Sequence, residues 1–277
     1  VREQPVRSWV GRVLVGIVLL YAVILVVAPV VAIFNGALAQ GLGKVWSSIT
    51  SEDALIALRL TFVLAIAASA INLVLGVVTA WVLVRHQFPG KALVNALVDL
   101  PFVISPVIIG FVIVVLFGRT GWLKGFPIQI AFSFPGMLLV TIFVSLPFVV
   151  REVMPLLASL TTEQEEAAFT LGAQRWLVFR RIIFPAIRPA IIYGLVLALA
   201  RSLGEFGAAA VAGGGVQGVT ETATIFIFRS IHDRNNVAAY SMAILLGIIA
   251  VLTLLGMNWI RHRSSLISHQ PVVEEGV

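Results

Sequence analysis

Arg201 and Glu205 stand four residues apart inside an apolar stretch. In a helix that spacing stacks the two side chains on one face, so a guanidinium and a carboxylate can pair. At mid-membrane depth either charge alone would cost at least ~2.5 kcal/mol, and pairing removes most of that cost. Two roles compete evenly for the pair. One is a lock between helices; the other is a lining of a polar pathway through the bundle, in which Arg201 offsets the charge of Glu205. Ser202 beside them and Asp99 in another apolar stretch complete the candidate pathway residues. Asp99 precedes Pro101 and Pro106 and reads as a buried acid paired with a neighbouring helix, the prolines kinking its span. Ala200, Gly204, Ala208 and Ala212 form a stripe of small residues that would let helices approach closely, and Asn72 reads as a hydrogen-bonding contact between helices.

Bond-making chemistry finds no foothold. The chain has no cysteine, and its histidines (His86, His232, His262 and His269) are scattered, with no HExxH. A phosphate cradle of the GxxxxGK[ST] type is missing; Gly43-Lys44 and Gly90-Lys91 lack the hydroxyl residue that should follow. Gly213, Gly215 and Gly218 have GxGxxG spacing, but they follow a membrane helix rather than a strand and read as a flexible outer loop. No catalytic, cofactor-binding or metal-binding residue is assigned, so any driving energy comes from another polypeptide.

The elements that position these residues follow from composition. Of 277 residues, 60% are hydrophobic and 12% charged, too few polar groups to clothe a soluble core of this size. A disordered chain needs the opposite balance. The net charge of +6 belongs at bilayer surfaces rather than on nucleic acid. A helix needs roughly 20 apolar residues to cross hydrocarbon. Stretches at about 13–34, 60–84, 92–117, 134–150, 189–212 and 237–260 qualify, giving an all-α integral membrane protein of six transmembrane helices in a single domain, 1–277. The first stretch is too long for a signal-peptide core and reads as a retained span.

Arginine and lysine set the orientation. Arg2, Arg7, Arg12, Arg85, Lys91, Arg151, the cluster at 175–188, Arg261 and Arg263 fall on one side. Opposite them lie Lys44, Arg59, Arg119, Lys124, Arg229 and Arg234. Both termini are therefore expected on the cytoplasmic side of the cell's inner membrane.

One long inner loop, 151–188, is dense in charge. Thr162 and Glu165 have the spacing of a capping box, and Glu163, Glu165 and Glu166 suit the positive end of a helix dipole. Gly172 suits a left-handed C-terminal cap. A second short helix is expected from about Gln174 to Ile183, carrying Arg175, Arg180 and Arg181 and stopped by Pro185. Charge alone favours a solvated linker. Small Ala167 and Ala168 beside the acidic cap instead suit close docking of a partner.

Glu166-Ala167-Ala168, then Gly172 and Ile182-Ile183-Phe184-Pro185, resembles the EAA signature of ABC-importer permeases, with Phe184 where leucine is usual. The segment 200–208, the segment 143–152 and Thr220-Glu221-Thr222 resemble the sulfate and molybdate branch, and most of all its W-type sulfate permeases. The resemblance implies a type I importer permease (MetI-like) fold importing sulfate and thiosulfate. Glu163, Glu165, Glu166, Ala167, Ala168, Gly172, Phe184 and Pro185 would form the element that couples to a separate ATPase subunit. It also implies a heterodimer with a T-type permease, two ATPase subunits that bind ATP and Mg, and an extracytoplasmic sulfate-binding protein. A molybdate or tungstate permease is the alternative within the class. An ion-driven secondary anion transporter is the alternative outside it, though neither inverted repeats nor paired broken helices are evident.

Overall fold

The structure, a computed structural model, describes residues 9–160 and 163–267, and the regular structure of those residues is helical throughout. Two compact units divide the chain, one from within 1–51 and 227–245, the other from 52–226 and 246 onward. In the first, α1 (Trp9–Leu38) is apolar and exposed along nearly its whole length, and α2 (Leu42–Ile49) follows after a tight turn.

The second unit begins with α3 (Glu52–Arg85), whose acidic first turn and basic last turn both oppose the helix dipole favourably. Then come α4 (Lys91–Val103), α5 (Pro106–Phe117), α6 (Phe134–Ser159) and α7 (Glu163–Thr170). Beyond α7 lie α8 (Arg175–Val178), a π-helical turn (Phe179–Ile183), α9 (Phe184–Leu203) and α10 (Gly207–Gly213). Two further helices follow, α11 (Ala223–His232) and α12 (Asn236–Ile267), each with residues assigned to both units.

Among the described residues five helical stretches are long and apolar enough to cross a bilayer, and α4 with α5 makes a sixth if taken as one span. The stretch 92–117 is not one straight span: α4 and α5 meet at 112°. Ile104 is extended at the break, Ser105 is kept out of the helical region at ψ 133° by the proline that follows it, and Pro106 opens α5, where its missing N–H is harmless.

Pro185 does not end a surface helix. The π turn shifts the ladder so that Phe184 N–H donates to the Phe179 carbonyl, and Pro185 falls in the first turn of α9. Arg175 to Leu203 is therefore one continuous 29-residue helix, about 44 Å long.

Three long helices interlock around Val149 of α6, which is fully buried. A Cβ on Gly194 of α9 would lie 2.8 Å from the Val149 Cα, and one on Gly76 of α3 would lie 2.6 Å from a Val149 methyl. Both glycines are the notches that let the backbones close on one side chain. Nearby, Asn72 Nδ2 of α3 donates to the Ile142 carbonyl at 3.0 Å and to Ser145 Oγ at 2.8 Å. The Ser202 hydroxyl of α9 reaches the same Ser145 Oγ at 3.3 Å. A polar node thus pins α3, α6 and α9 together, in hydrocarbon where water cannot compete.

Candidate functional site

The loop 151–188 presents α7 to solvent. Glu163, Glu166 and Ala167 are exposed, while Ala168 is partly tucked against the core of the unit. Gly172 closes the helix at φ +83°, the left-handed geometry expected of it. Its N–H donates to the Phe169 carbonyl and the Ala173 N–H donates to the Ala168 carbonyl, each at 3.0 Å, which is a Schellman closure. Thr162 lies outside the described residues. Glu165 pairs with Arg85, the last residue of α3, and both side chains are largely buried. Arg85 also lies over the Trp81 ring at 5.8 Å, and Trp81 packs edge-on to Phe179 of the π turn. Phe184 and Pro185 are exposed at the start of α9, with the Phe184 ring 6.2 Å from that of Phe179.

Arg201 and Glu205 do pair, at 2.7 Å, but not along one uninterrupted helix. Helix α9 ends at Leu203, and Glu205 lies in the break before α10. Its side chain is 2% exposed, and Oε1 accepts the Ala208 N–H of α10 at 2.9 Å. The carboxylate therefore serves the new helix start as well as Arg201, a use favoured by the dipole. Thr224 donates to the Glu205 carbonyl at 2.7 Å, so the interrupted backbone is resatisfied by a neighbour, as hydrocarbon demands. The Arg201 side chain is 29% exposed. Ser202 is buried in the Asn72–Ser145 node. The small-residue stripe is split by the same break: Ala208 and Ala212 on α10 pack with Ile109 and Val140, and Gly110 of α5 fits against the Ala208 backbone.

Asp99 is paired as anticipated, though it is half-exposed rather than buried. Arg151 of α6 binds it bidentately, Nε to Oδ1 at 2.7 Å and Nη2 to Oδ2 at 2.5 Å, and also donates to the Asn95 carbonyl. Arg151 then lines a cavity of about 750 Å³ with Glu152, Ser159 and Tyr193. Arg85 and Arg151 entered the sequence reading only as membrane-edge cations. Their partners lie 80 and 52 positions away, a separation that no local spacing signals.

The glycine-rich segment after α10 is tied down rather than loose. Thr220 donates to the Gly213 carbonyl at 2.7 Å and accepts the Val216 N–H at 2.9 Å, and Thr220, Glu221 and Thr222 are buried. Among the described residues no group of three His, Asp or Glu side chains could hold a metal ion.

Long apolar helices, an Arg201–Glu205 pair at a break between helices and an exposed α7 describe a membrane protein with a solvent-facing loop. Residues 72–265 match the family described as "binding-protein-dependent transport system inner membrane component", and the chain belongs to that family. Within it, the chain is 43% identical over 254 residues, 90% of its own length and 92% of the relative, to the sulfate transport system permease protein CysW of Synechocystis sp.. It is 34% identical over 252 residues, 90% of the chain and 91% of the relative, to the sulfate transport system permease protein CysT of Escherichia coli. Among solved structures, a chain of a bacterial alginate ABC transporter superposes with a TM-score of 0.77 at 20% identity, covering 96% of this chain and 97% of that one. A chain of the MetNI methionine ABC transporter superposes at 0.53 and 20% identity, covering 80% and 94%. These two likenesses show the fold alone, which the chain shares with those two transporter chains.

Proposed function

We propose that the chain is one of two permease subunits of an ATP-driven importer for sulfate and thiosulfate, with a T-type permease as its other half. The observation that carries the substrate is its likeness, over about nine-tenths of its length, to CysW. Two ATPase subunits bind ATP and Mg, one of them docking on this chain's α7, and an extracytoplasmic binding protein delivers the anion on the opposite face. Both termini face the cytoplasm. This chain does no bond chemistry.

Exposed Glu163, Glu166 and Ala167 offer a small, acidic-tipped docking surface, and the Schellman closure at Gly172 keeps α7 from fraying when it is pulled. Ion pairing and packing link α7 and the π turn to α3, so a displacement of the docked helix reaches the bundle. At the α9–α10 break, Arg201 offers a half-neutralised cation to a passing dianion, attractive enough to admit it and too weak to trap it. Closing of the ATPase pair on ATP then opens the bundle outward, and hydrolysis resets it.

The test is uptake by proteoliposomes holding both permeases and the ATPase, supplied with sulfate-loaded binding protein. ATP-dependent sulfate entry is expected. Entry driven by an ion gradient through this chain alone, or entry of molybdate in place of sulfate, would overturn the proposal.

A further inference from the structure

Arg175, Arg180, Arg181 and Arg188 are exposed along the segment that leads from α8 into α9, and none pairs with an acid among the described residues. The acids of the same loop stand elsewhere: Glu163 and Glu166 are exposed on α7, and Glu165 belongs to Arg85. Arg181, Phe184 and Arg188, spaced three and four residues apart, share the open face of the helix, while Val178, Ile183 and Ile187 are buried on the other.

Depth follows from length. The helix from Arg175 to Leu203 exceeds a hydrocarbon core of about 30 Å by about 14 Å, or roughly nine residues. Those nine residues, 175–183, carry Arg175, Arg180 and Arg181 to headgroup level, and Arg188, about 8 Å further in, reaches that level with its long stem. Trp176 is 68% exposed there, stacked on Phe179 at 5.7 Å. Tryptophan and leucine among arginines match a membrane–water boundary, where rings and stems enter the acyl edge and cations stay with phosphate. A guanidinium fork also fits a phosphate with two parallel hydrogen bonds.

We propose that Arg180, Arg181 and Arg188 form a collar that binds anionic phospholipid headgroups of the leaflet on the α7 side. The bound lipid holds the entrance of α9 at a set depth and leaves α7 free for its protein partner. The other conceivable occupant is an acidic protein face; lipid is favoured because Trp176 and Leu177 lie exposed among the cations.

The experiment uses the assembled importer in nanodiscs of mixed phosphatidylcholine and phosphatidylglycerol, with retained lipid counted by native mass spectrometry after extraction. Phosphatidylglycerol is expected to be enriched over its bulk share. Replacing Arg180, Arg181 and Arg188 by Gln lowers that enrichment at least about tenfold, at up to about fivefold per cation, with the ATPase subunits still bound. Lysine at the three positions retains most of it, because the charge survives. Unchanged enrichment in the triple Gln variant overturns the proposal. So does loss of the ATPase subunits with lipid retained, which would mark a protein-docking face, and so does displacement of the lipid by excess inorganic phosphate. If the triple variant does not assemble, Arg188→Gln alone carries the test, with a loss of up to about fivefold expected and no loss overturning the proposal.

Discussion

Arg85 and Glu165, eighty positions apart in the sequence, meet as an ion pair that ties the end of α3 to the first turn of α7. Through it α7, the proposed docking helix, is joined to a membrane span other than the one that follows it in the chain. Reversing either charge, as Arg85→Glu or Glu165→Arg, is expected to cut ATP-driven uptake at least about fivefold while ATP hydrolysis persists. The double reversal restores most of the uptake, as coupled neighbours do in a mutant cycle. Sulfate uptake and phosphate release, measured on the same proteoliposomes, decide it; a double variant as impaired as the sum of the singles rejects the link.

Ala167 is exposed and the chain has no cysteine, so Ala167→Cys provides a single reactive thiol at the proposed docking face. A bifunctional crosslinker in intact cells is expected to capture the ATPase subunit through it. Failure at both Ala167→Cys and Ala168→Cys, with the proteins expressed, removes the basis for docking at α7.

Glu205→Gln keeps an oxygen to accept the Ala208 N–H and removes the charge that balances Arg201. The variant is expected to assemble normally and to alter uptake, whereas Glu205→Ala also loses the helix-start bond, worth about 1 kcal/mol. Blue-native electrophoresis and uptake separate the two effects. If the Gln variant fails to insert or assemble, the pair is a structural lock and not a pathway contact.

Val149 supplies a packing test. A methyl added at Gly194 meets backbone, the Val149 Cα, while one added at Gly76 meets the Val149 side chain. Overpacking typically costs 1–3 kcal/mol, so Gly194→Ala is expected near about 3 kcal/mol and Gly76→Ala nearer about 1 kcal/mol. Thermal unfolding in detergent reads the order, and a reversed ranking contradicts this packing.

Much of this architecture was legible beforehand, and the exceptions share a cause. Apolar runs mark helices because hydrocarbon allows few other solutions, and Gly172 announced its left-handed cap because few residues tolerate that φ. The Arg201–Glu205 pairing also followed from spacing, although the helix between them is interrupted. What spacing could not reveal was where backbone hydrogen bonds are exchanged. At Pro185 a π turn absorbs the missing donor, and at Glu205 a carboxylate and Thr224 replace helical partners. The partners of Arg85 and Arg151 were equally hidden, since each lies on a helix distant in sequence.

The unbroken run from Arg175 to Leu203 has a mechanical consequence. A hydrogen-bonded helix is stiff along its axis, so a stroke delivered at its outer tip arrives at the far end almost undiminished, like motion along a push-rod. The rod stops at Gly204, where the chain swivels before α10 begins. In the proposed function linear thrust becomes a crank there, applied beside the Arg201–Glu205 pair.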